Sequence, residues 1–255
     1  MLKLYYWNGH ANAGDYFGAW LLKKMNINFE YSKTNPDICI AGSILKHEPT
    51  TNSKIWGCGF HNADEKKKFD RKNIYAVRGK STLKNLGFSD VITGDPGILA
   101  SYFYKSTATK KYKFGIVSHY IDEDFFSKIK LPNNTKLIKM STQNIEKLLD
   151  DINECEFILS SSLHGMIFAH SYNIPAIRIK HNELATKNAF KFLDYYSNWK
   201  NVKYLEKQVK SASDLNFNEF DLLFDNKSLF VPSKEEVIKN QNDLLSVFPF
   251  KNELS

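Results

Sequence analysis

The stretch Glu156–Lys180, EFILSSSLHGMIFAHSYNIPAIRIK, decides the fold. Phe157–Leu159 is an apolar strand, followed by Ser160-Ser161-Ser162 and His164-Gly165. An apolar helix then runs to Asn173 and Pro175, which end it, and a second strand closes on Arg178-Ile179-Lys180. Strand, helix and strand at this spacing make the βαβ unit of a parallel sheet. The unit puts three hydroxyls, an imidazole and the first amides of a helix at the carboxyl end of a strand. Open α/β sheets bind ligands there, and helix N-termini attract anions. The segment therefore reads as a site for a phosphate or carboxylate. Ser160, Ser161 and Ser162 are its binding hydroxyls, and Arg178 and Lys180 stand at the end of the next strand.

The same alternation extends in both directions. Strands are predicted at Leu2–Trp7, Asp37–Ala41, Lys54–Cys58 and Asn73–Val77, with helices starting near Gly14 and Lys80. Gly87 is placed to cap the second of these helices. Ser101–Lys111 is polar and without hydrophobic period, and reads as a linker. Strands resume at Lys113–Ser118 and Thr135–Lys139, and Ile145, Leu148, Leu149 and Ile152 form one helical face. The C-terminal part turns helical, at Phe190–Tyr196, near Leu215–Phe224, and in a last helix opened by a Ser233…Glu236 capping box. This order predicts an α/β protein of two Rossmann-like domains, residues 1–108 and 109–255, with a cleft between them, in a compact glycosyltransferase-B-like arrangement.

Composition excludes several classes. Hydrophobic residues at 42% and charged ones at 25% of 255 describe an ordinary globular protein. No apolar run approaches the roughly 20 residues of a membrane span, and Met1-Leu2-Lys3-Leu4 leads directly into a strand, so a cytoplasmic protein is expected. Cys39, Cys58 and Cys155 lack metal spacing and read as buried thiols; no metal site is expected. The net charge of +7 sits mostly in residues 1–108, with fifteen Lys/Arg against nine Asp/Glu. A basic first half suits anionic substrates or a peripheral contact with the inner membrane face. No nucleic-acid-binding motif accompanies it. The Lys66-Lys67-Lys68…Arg71-Lys72 cluster reads as a solvated face.

The central segment also resembles a family signature. S-S-S-L-H-G followed by A-x-x-x-N-I-P-A-I is similar to that of the polysaccharide pyruvyl transferases. Further pieces follow in order: Asn12-Ala13-Gly14-Asp15, Ala41-Gly42-Ser43-Ile44-Leu45, Gly57-Cys58-Gly59 and Val77-Arg78-Gly79. Gly94-Asp95-Pro96, His119-Tyr120 and Lys191-Phe192-x-Asp194-Tyr195-Tyr196 complete the series. The resemblance implies transfer of pyruvate from phosphoenolpyruvate to a sugar of a surface-polysaccharide precursor as a cyclic ketal, without a cofactor. A lipid-linked oligosaccharide is the implied acceptor. Many members carry Arg where this chain has Ser162, so the missing cation is expected from Arg178 or Lys180.

Such chemistry needs cations for phosphate and carboxylate, a proton donor for the methylene carbon, and a base for the attacking hydroxyl. His164 is the first candidate, for phosphate contact or proton transfer. His119 follows a strand at the same sheet edge and is the second. Asp15 either caps its helix or acts as base in the cleft, where Asn12 and Gly14 would contact substrate. Arg78, directly after a strand, either binds an anion or forms a structural ion pair. Asp95 reads as a cap before Pro96, His170 as a core histidine, and Tyr195, Tyr196 and Trp199 as core aromatics rather than a sugar platform. Two rival functions remain: a nucleotide-sugar-dependent glycosyltransferase, and a non-catalytic phosphosugar-binding relative.

Overall fold

A computed structural model describes residues 1–47, 51–181 and 189–250. Among them the strands form two sheets, both parallel throughout. The first contains β1 (Leu2–Tyr5), β2 (Phe29–Tyr31), β3 (Ile38–Ile40), β4 (Lys54–Cys58), β5 (Ile74–Val77) and β6 (Ile92–Thr93). Their order is β2-β1-β3-β4-β5-β6. The second contains β7 (Tyr112–Ser118), β8 (Thr135–Lys139), β9 (Cys155–Ser160), β10 (Ala176–Lys180) and β11 (Glu206–Gln208), in the order β11-β10-β9-β7-β8. Counted from its own first strand, each sheet follows the doubly wound order 2-1-3-4-5. Two Rossmann-like α/β units are therefore present, as the alternation predicts.

The central strands are continuous apolar runs because parallel sheets are covered on both faces. Ile38, Cys39 and Ile40, and Phe157, Ile158 and Leu159, are all buried. The sequence reading omits β2, β6 and β11. All three lie at sheet edges, where Glu30, Glu206 and Gln208 keep their side chains in solvent and no apolar run is required.

The helices are α1 (Ala13–Lys24), α2 (Lys80–Leu86), α3 (Ala100–Phe103), α4 (Glu123–Ser127) and α5 (Ile145–Asn153), then α6 (Leu163–Ser171), α7 (Phe190–Tyr196), α8 (Phe217–Asp225) and α9 (Lys234–Ser246). α5 buries the predicted stripe, α2 ends on left-handed Gly87, and α9 opens with the Ser233/Glu236 capping box. The expected linker is partly helical in α3, and Tyr104 and Ser106 tie it to Asp150 with bonds of 2.9 and 2.6 Å. Among the described residues no helix is long and apolar enough to cross a membrane.

One apolar core runs between the sheets. It joins Leu4, Phe17 and Ile98 to Val117, Ile158 and Phe168, and the Phe17 and Phe168 rings lie 5.1 Å apart. α9 returns to the first sheet, where Trp56 Nε1 donates to the Leu244 carbonyl at 3.0 Å and Gln241 Nε2 to that of Ile98 at 2.7 Å. A shared apolar interface of this kind opposes free hinging of the two units.

Candidate functional site

A cavity of about 290 Å³ opens at the carboxyl ends of both sheets. In the first unit its walls come from Asn12 and Asp15 at the start of α1, the loop after β3 with Ser43 and His47, and His61 after β4. In the second they come from His119 and Tyr120 after β7 and from Ser162 and His164 after β9. Chain order reverses between β1 and β3 and again between β7 and β9. These are the topological switch points where doubly wound sheets take ligands, and here both open onto one cavity.

His164 joins the two units. Its ring packs against Gly14 so closely that a Cβ on Gly14 would lie 2.3 Å from His164 Nδ1. Asn12 fixes that approach, because its Oδ1 accepts the Gly14 N–H at 2.9 Å and caps α1. Asp15, read from sequence as a possible cap, is therefore free of that duty and stands in the first turn. On the other side of His164, Nε2 lies 3.7 Å from Oδ1 of fully buried Asp95. That separation is too long for a hydrogen bond. Asp95 Oδ1 accepts from Gly97 N–H and caps the Pro96 turn as expected, while its Oδ2 has no hydrogen-bond partner.

The floor combines charges whose proton affinities burial has moved. Burial raises the Asp15 carboxyl to about 6, against the lowering effect of His164 and Lys191. Lys191, from α7, is 8% exposed and lines the same cavity. Burial, followed by Arg78 and Arg178, lowers its ammonium to about 8, while Asp15 and Asp122 pull it upward. Burial chiefly, then Lys191, His61 and His164, lower His119 to about 3, so its ring is neutral near pH 7. The Ile121 N–H donates to His119 Nδ1 at 3.4 Å, which leaves the proton on Nε2. His61 is also lowered, by burial first and then by Lys191. The cavity therefore holds a poised carboxylate, a buried cation and a neutral imidazole donor beside the N-terminus of α6. Among the described residues no group of three or more His, Cys, Asp or Glu is placed to hold a metal ion.

The structure brings His164, His119, Asp15, Asn12 and Ser162 to the cavity and leaves other candidates outside its lining. Ser160 Oγ bonds the carbonyls of Val117 and Ser162, and Ser161 Oγ accepts the His119 N–H at 2.9 Å. Two of the three serines thus hold the scaffold. Arg178 is fully buried, donating to Tyr204 Oη at 2.8 Å and pairing with Glu206 at 2.5 Å. Lys180 does not line the cavity either, so neither residue supplies the expected cation there. Arg78 adopts the ion-pair alternative: Nε donates to Asp194 at 3.0 Å, Nη1 to Ser43 Oγ at 2.6 Å and Nη2 to the Phe60 carbonyl at 2.5 Å. His170 is a core histidine between Tyr195 Oη and the Phe230 carbonyl, and Tyr195, Tyr196 and Trp199 are buried.

Sequence reasoning missed Lys191 as a site residue, although it opens one of the quoted motifs. It also missed Trp7, His47 and His61, which stand alone in loops without a recognisable spacing.

An uncharacterized protein of Acanthamoeba polyphaga mimivirus is 28% identical over 276 residues, covering 98% of this chain and 94% of its own length. The profile of the polysaccharide pyruvyl transferases matches residues 10–183, a span that runs from the loop after β1 past the end of β10. That span includes Asn12, Asp15, His61, His119 and His164, and so most of the cavity wall. The chain belongs to the polysaccharide pyruvyl transferase family.

Proposed function

We propose that the protein transfers pyruvate from phosphoenolpyruvate to two hydroxyls of a sugar, forming a cyclic ketal on a surface-polysaccharide precursor. The observation that carries this reading is the convergence of Lys191, Asp15, His119 and His164 on one small cavity at two switch points. Lys191 and the first-turn amides of α6 hold the donor's phosphate and carboxylate, and the Nε2–H of His119 donates a further bond. In the reaction a proton adds to the methylene carbon of the donor, and the positive charge falls on the carbon bearing the phosphate. A sugar hydroxyl attacks that carbon and loses its proton. The carbon–oxygen bond to phosphate then breaks, inorganic phosphate departs, and a second hydroxyl closes the ring as its own proton leaves. Asp15, with its carboxyl near 6, takes the hydroxyl proton, and His164 serves the methylene carbon or the departing phosphate. No cofactor enters this balance.

The size of the cavity favours a small donor. Pockets for drug-sized ligands run from roughly 300 to 1,000 Å³, and about 290 Å³ suits a three-carbon phosphate better than a nucleotide sugar. The acceptor we infer is a lipid-linked oligosaccharide met by a cytoplasmic enzyme at the inner membrane face, which the basic residues 1–108 would favour.

Calorimetry with phosphoenolpyruvate, UDP, GDP and inorganic phosphate tests the donor. Phosphoenolpyruvate should bind most tightly, and His164→Ala should abolish turnover while the protein stays folded. Tighter binding of UDP or GDP would replace this reading with the glycosyltransferase one.

A further inference from the structure

Lys191, the first-turn amides of α6 and His119 account for the donor's charges, but the other wall of the cavity is aromatic. Trp7 lies two residues beyond the end of β1, and Tyr120 two residues beyond the end of β7. They occupy the same position in the two units and meet at the cavity. Their ring centroids are 6.0 Å apart with planes at 22°. His10 extends the group, 5.2 Å from Tyr120 at 32°, and His119 adjoins Tyr120 at 4.5 Å. Gly9 permits the arrangement, since a Cβ there would lie 2.6 Å from the Trp7 ring.

The exposure of these rings departs from that of the other tryptophans. Trp20, Trp56 and Trp199 are 7%, 0% and 7% exposed, whereas Trp7 and Tyr120 are only half-buried and His10 is exposed. Half-exposed rings from both units, stacked on one another at one cavity wall, form an apolar patch with a wet edge, next to an ionic floor. The matching occupant has one apolar face and hydroxyls around its rim. A pyranose with a face free of hydroxyls has that shape.

We propose that Trp7, Tyr120 and His10 form the acceptor subsite, and that it takes such a pyranose face-on with its hydroxyl edge turned toward Asp15 and His119. The proposal rests on the ketal-transfer reading. It adds a reason for the regiochemistry of that step: stacking fixes the plane of the sugar, so two neighbouring hydroxyls on one edge reach the donor together.

The test uses the full-length protein saturated with phosphoenolpyruvate and methyl glycosides of β-glucose, β-galactose and α-mannose as probes. Binding is read by saturation-transfer NMR and, where Trp7 is present, by its emission. At least one glycoside should bind. Trp7→Ala and Tyr120→Ala should each weaken it about 3–10-fold, with phosphoenolpyruvate still bound and the fold retained by circular dichroism, and Trp7→Phe should recover most of the loss. Glycoside binding untouched by both alanine variants would overturn the proposal, as would the absence of any glycoside binding to a protein that binds phosphoenolpyruvate. Failure of phosphoenolpyruvate to bind, with glycosides still held at the rings, would support this subsite and overturn the donor assignment instead.

Discussion

Lys191→Met should make the protein more stable and unable to hold its donor. The side chain is 8% exposed, and burial lowers its ammonium from 10.5 to about 8. That drop corresponds to about 3 kcal/mol against the charged form. Methionine keeps the length and removes the charge, but it also takes from Asp15 a cation that holds its carboxyl down. That attraction is already contained in the figure, because the value of about 8 includes the upward pull of Asp15. The net gain near pH 7 is therefore about 3 kcal/mol, or roughly 6–12 °C in melting temperature for a chain of this size. The sign follows from the two proton affinities: between about 8 and 10.5 the unfolded chain holds more protons than the native one, so wild-type stability rises with pH. The advantage of the variant should be full below pH 8 and fade above it. Donor binding should move the other way, weakening about 10²-fold as charge-assisted bonds are lost. Calorimetry at pH 8 in buffers of different ionisation enthalpy should show wild type taking up about half a proton on binding phosphoenolpyruvate, since the anion restores the ammonium. The variant should take up less. A less stable Lys191→Met with normal donor affinity would refute the reasoning, because it would mean that the ammonium serves the fold.

Asp15→Asn should lose about 10²–10⁴ in turnover, the usual contribution of a placed acid–base group. Its carboxyl is raised to about 6, so ionisation costs the native state stability above the unfolded value near 3.8. Urea unfolding should therefore find the variant about 3 kcal/mol more stable at pH 7, with the gap closing as pH falls toward 4; an equal gap at both pH values would reject the assignment. Gly14→Ala sets two effects against each other. Alanine gains up to about 1 kcal/mol in helix propensity, but its Cβ would sit 2.3 Å from His164 Nδ1, about 1 Å inside ordinary contact at 3.4 Å. Overpacking costs about 1–3 kcal/mol, so stability should change little while a displaced imidazole costs about 10²-fold in kcat/KM. Wild-type kcat/KM in this variant would show that the His164 position is immaterial.

Much of the fold is legible because its signals are local. Phe157–Leu159 and Lys113–Ser118 are apolar runs long enough to be central strands, Ile145–Ile152 shows a helical stripe, and Gly87 and Ser233…Glu236 are chemically specific caps. The edge strands are not legible, since Glu206-Lys207-Gln208 is held by pairing with β10 rather than by burial of its own side chains. The site divides in the same way. His164 and His119 follow predicted strands of one sheet and fall at its predicted edge, so strand polarity alone brings them together, whereas Asp15 reaches them only through the packing of the two units. Lys191 lies on a helix whose face toward the cavity depends on its packing against α2, which nothing within residues 190–196 encodes. The serines show the limit of motif reading, because a hydroxyl at a strand end can serve the backbone as readily as a ligand: Ser160 and Ser161 bond Val117, Ser162 and His119.

Arg78 shows how a residue can matter to such a site without lining it. Its guanidinium is buried and bound to Asp194, which also accepts from the Thr82 N–H at 2.8 Å and Thr82 Oγ1 at 2.7 Å. Asp194 stands three residues from Lys191, close to one turn along the same helix. The pair therefore fastens α7, and with it the cavity's buried cation, to the end of β5 and the start of α2. A second bond from Arg78 holds Ser43, another residue of the cavity wall. Gly59 and Gly79 leave room for this join: a Cβ on Gly59 would lie 2.4 Å from the Arg78 guanidinium, and one on Gly79 would lie 1.8 Å from the Asp194 carbonyl. Breaking such a buried pair typically costs about 3–5 kcal/mol, because the surviving charge has nowhere to go. The Val77-Arg78-Gly79 and Lys191…Asp194 motifs are thus two halves of one joint. An arginine that the sequence leaves open between a substrate anion and an ion pair is here bonded so as to hold in place the lysine that can meet an anion.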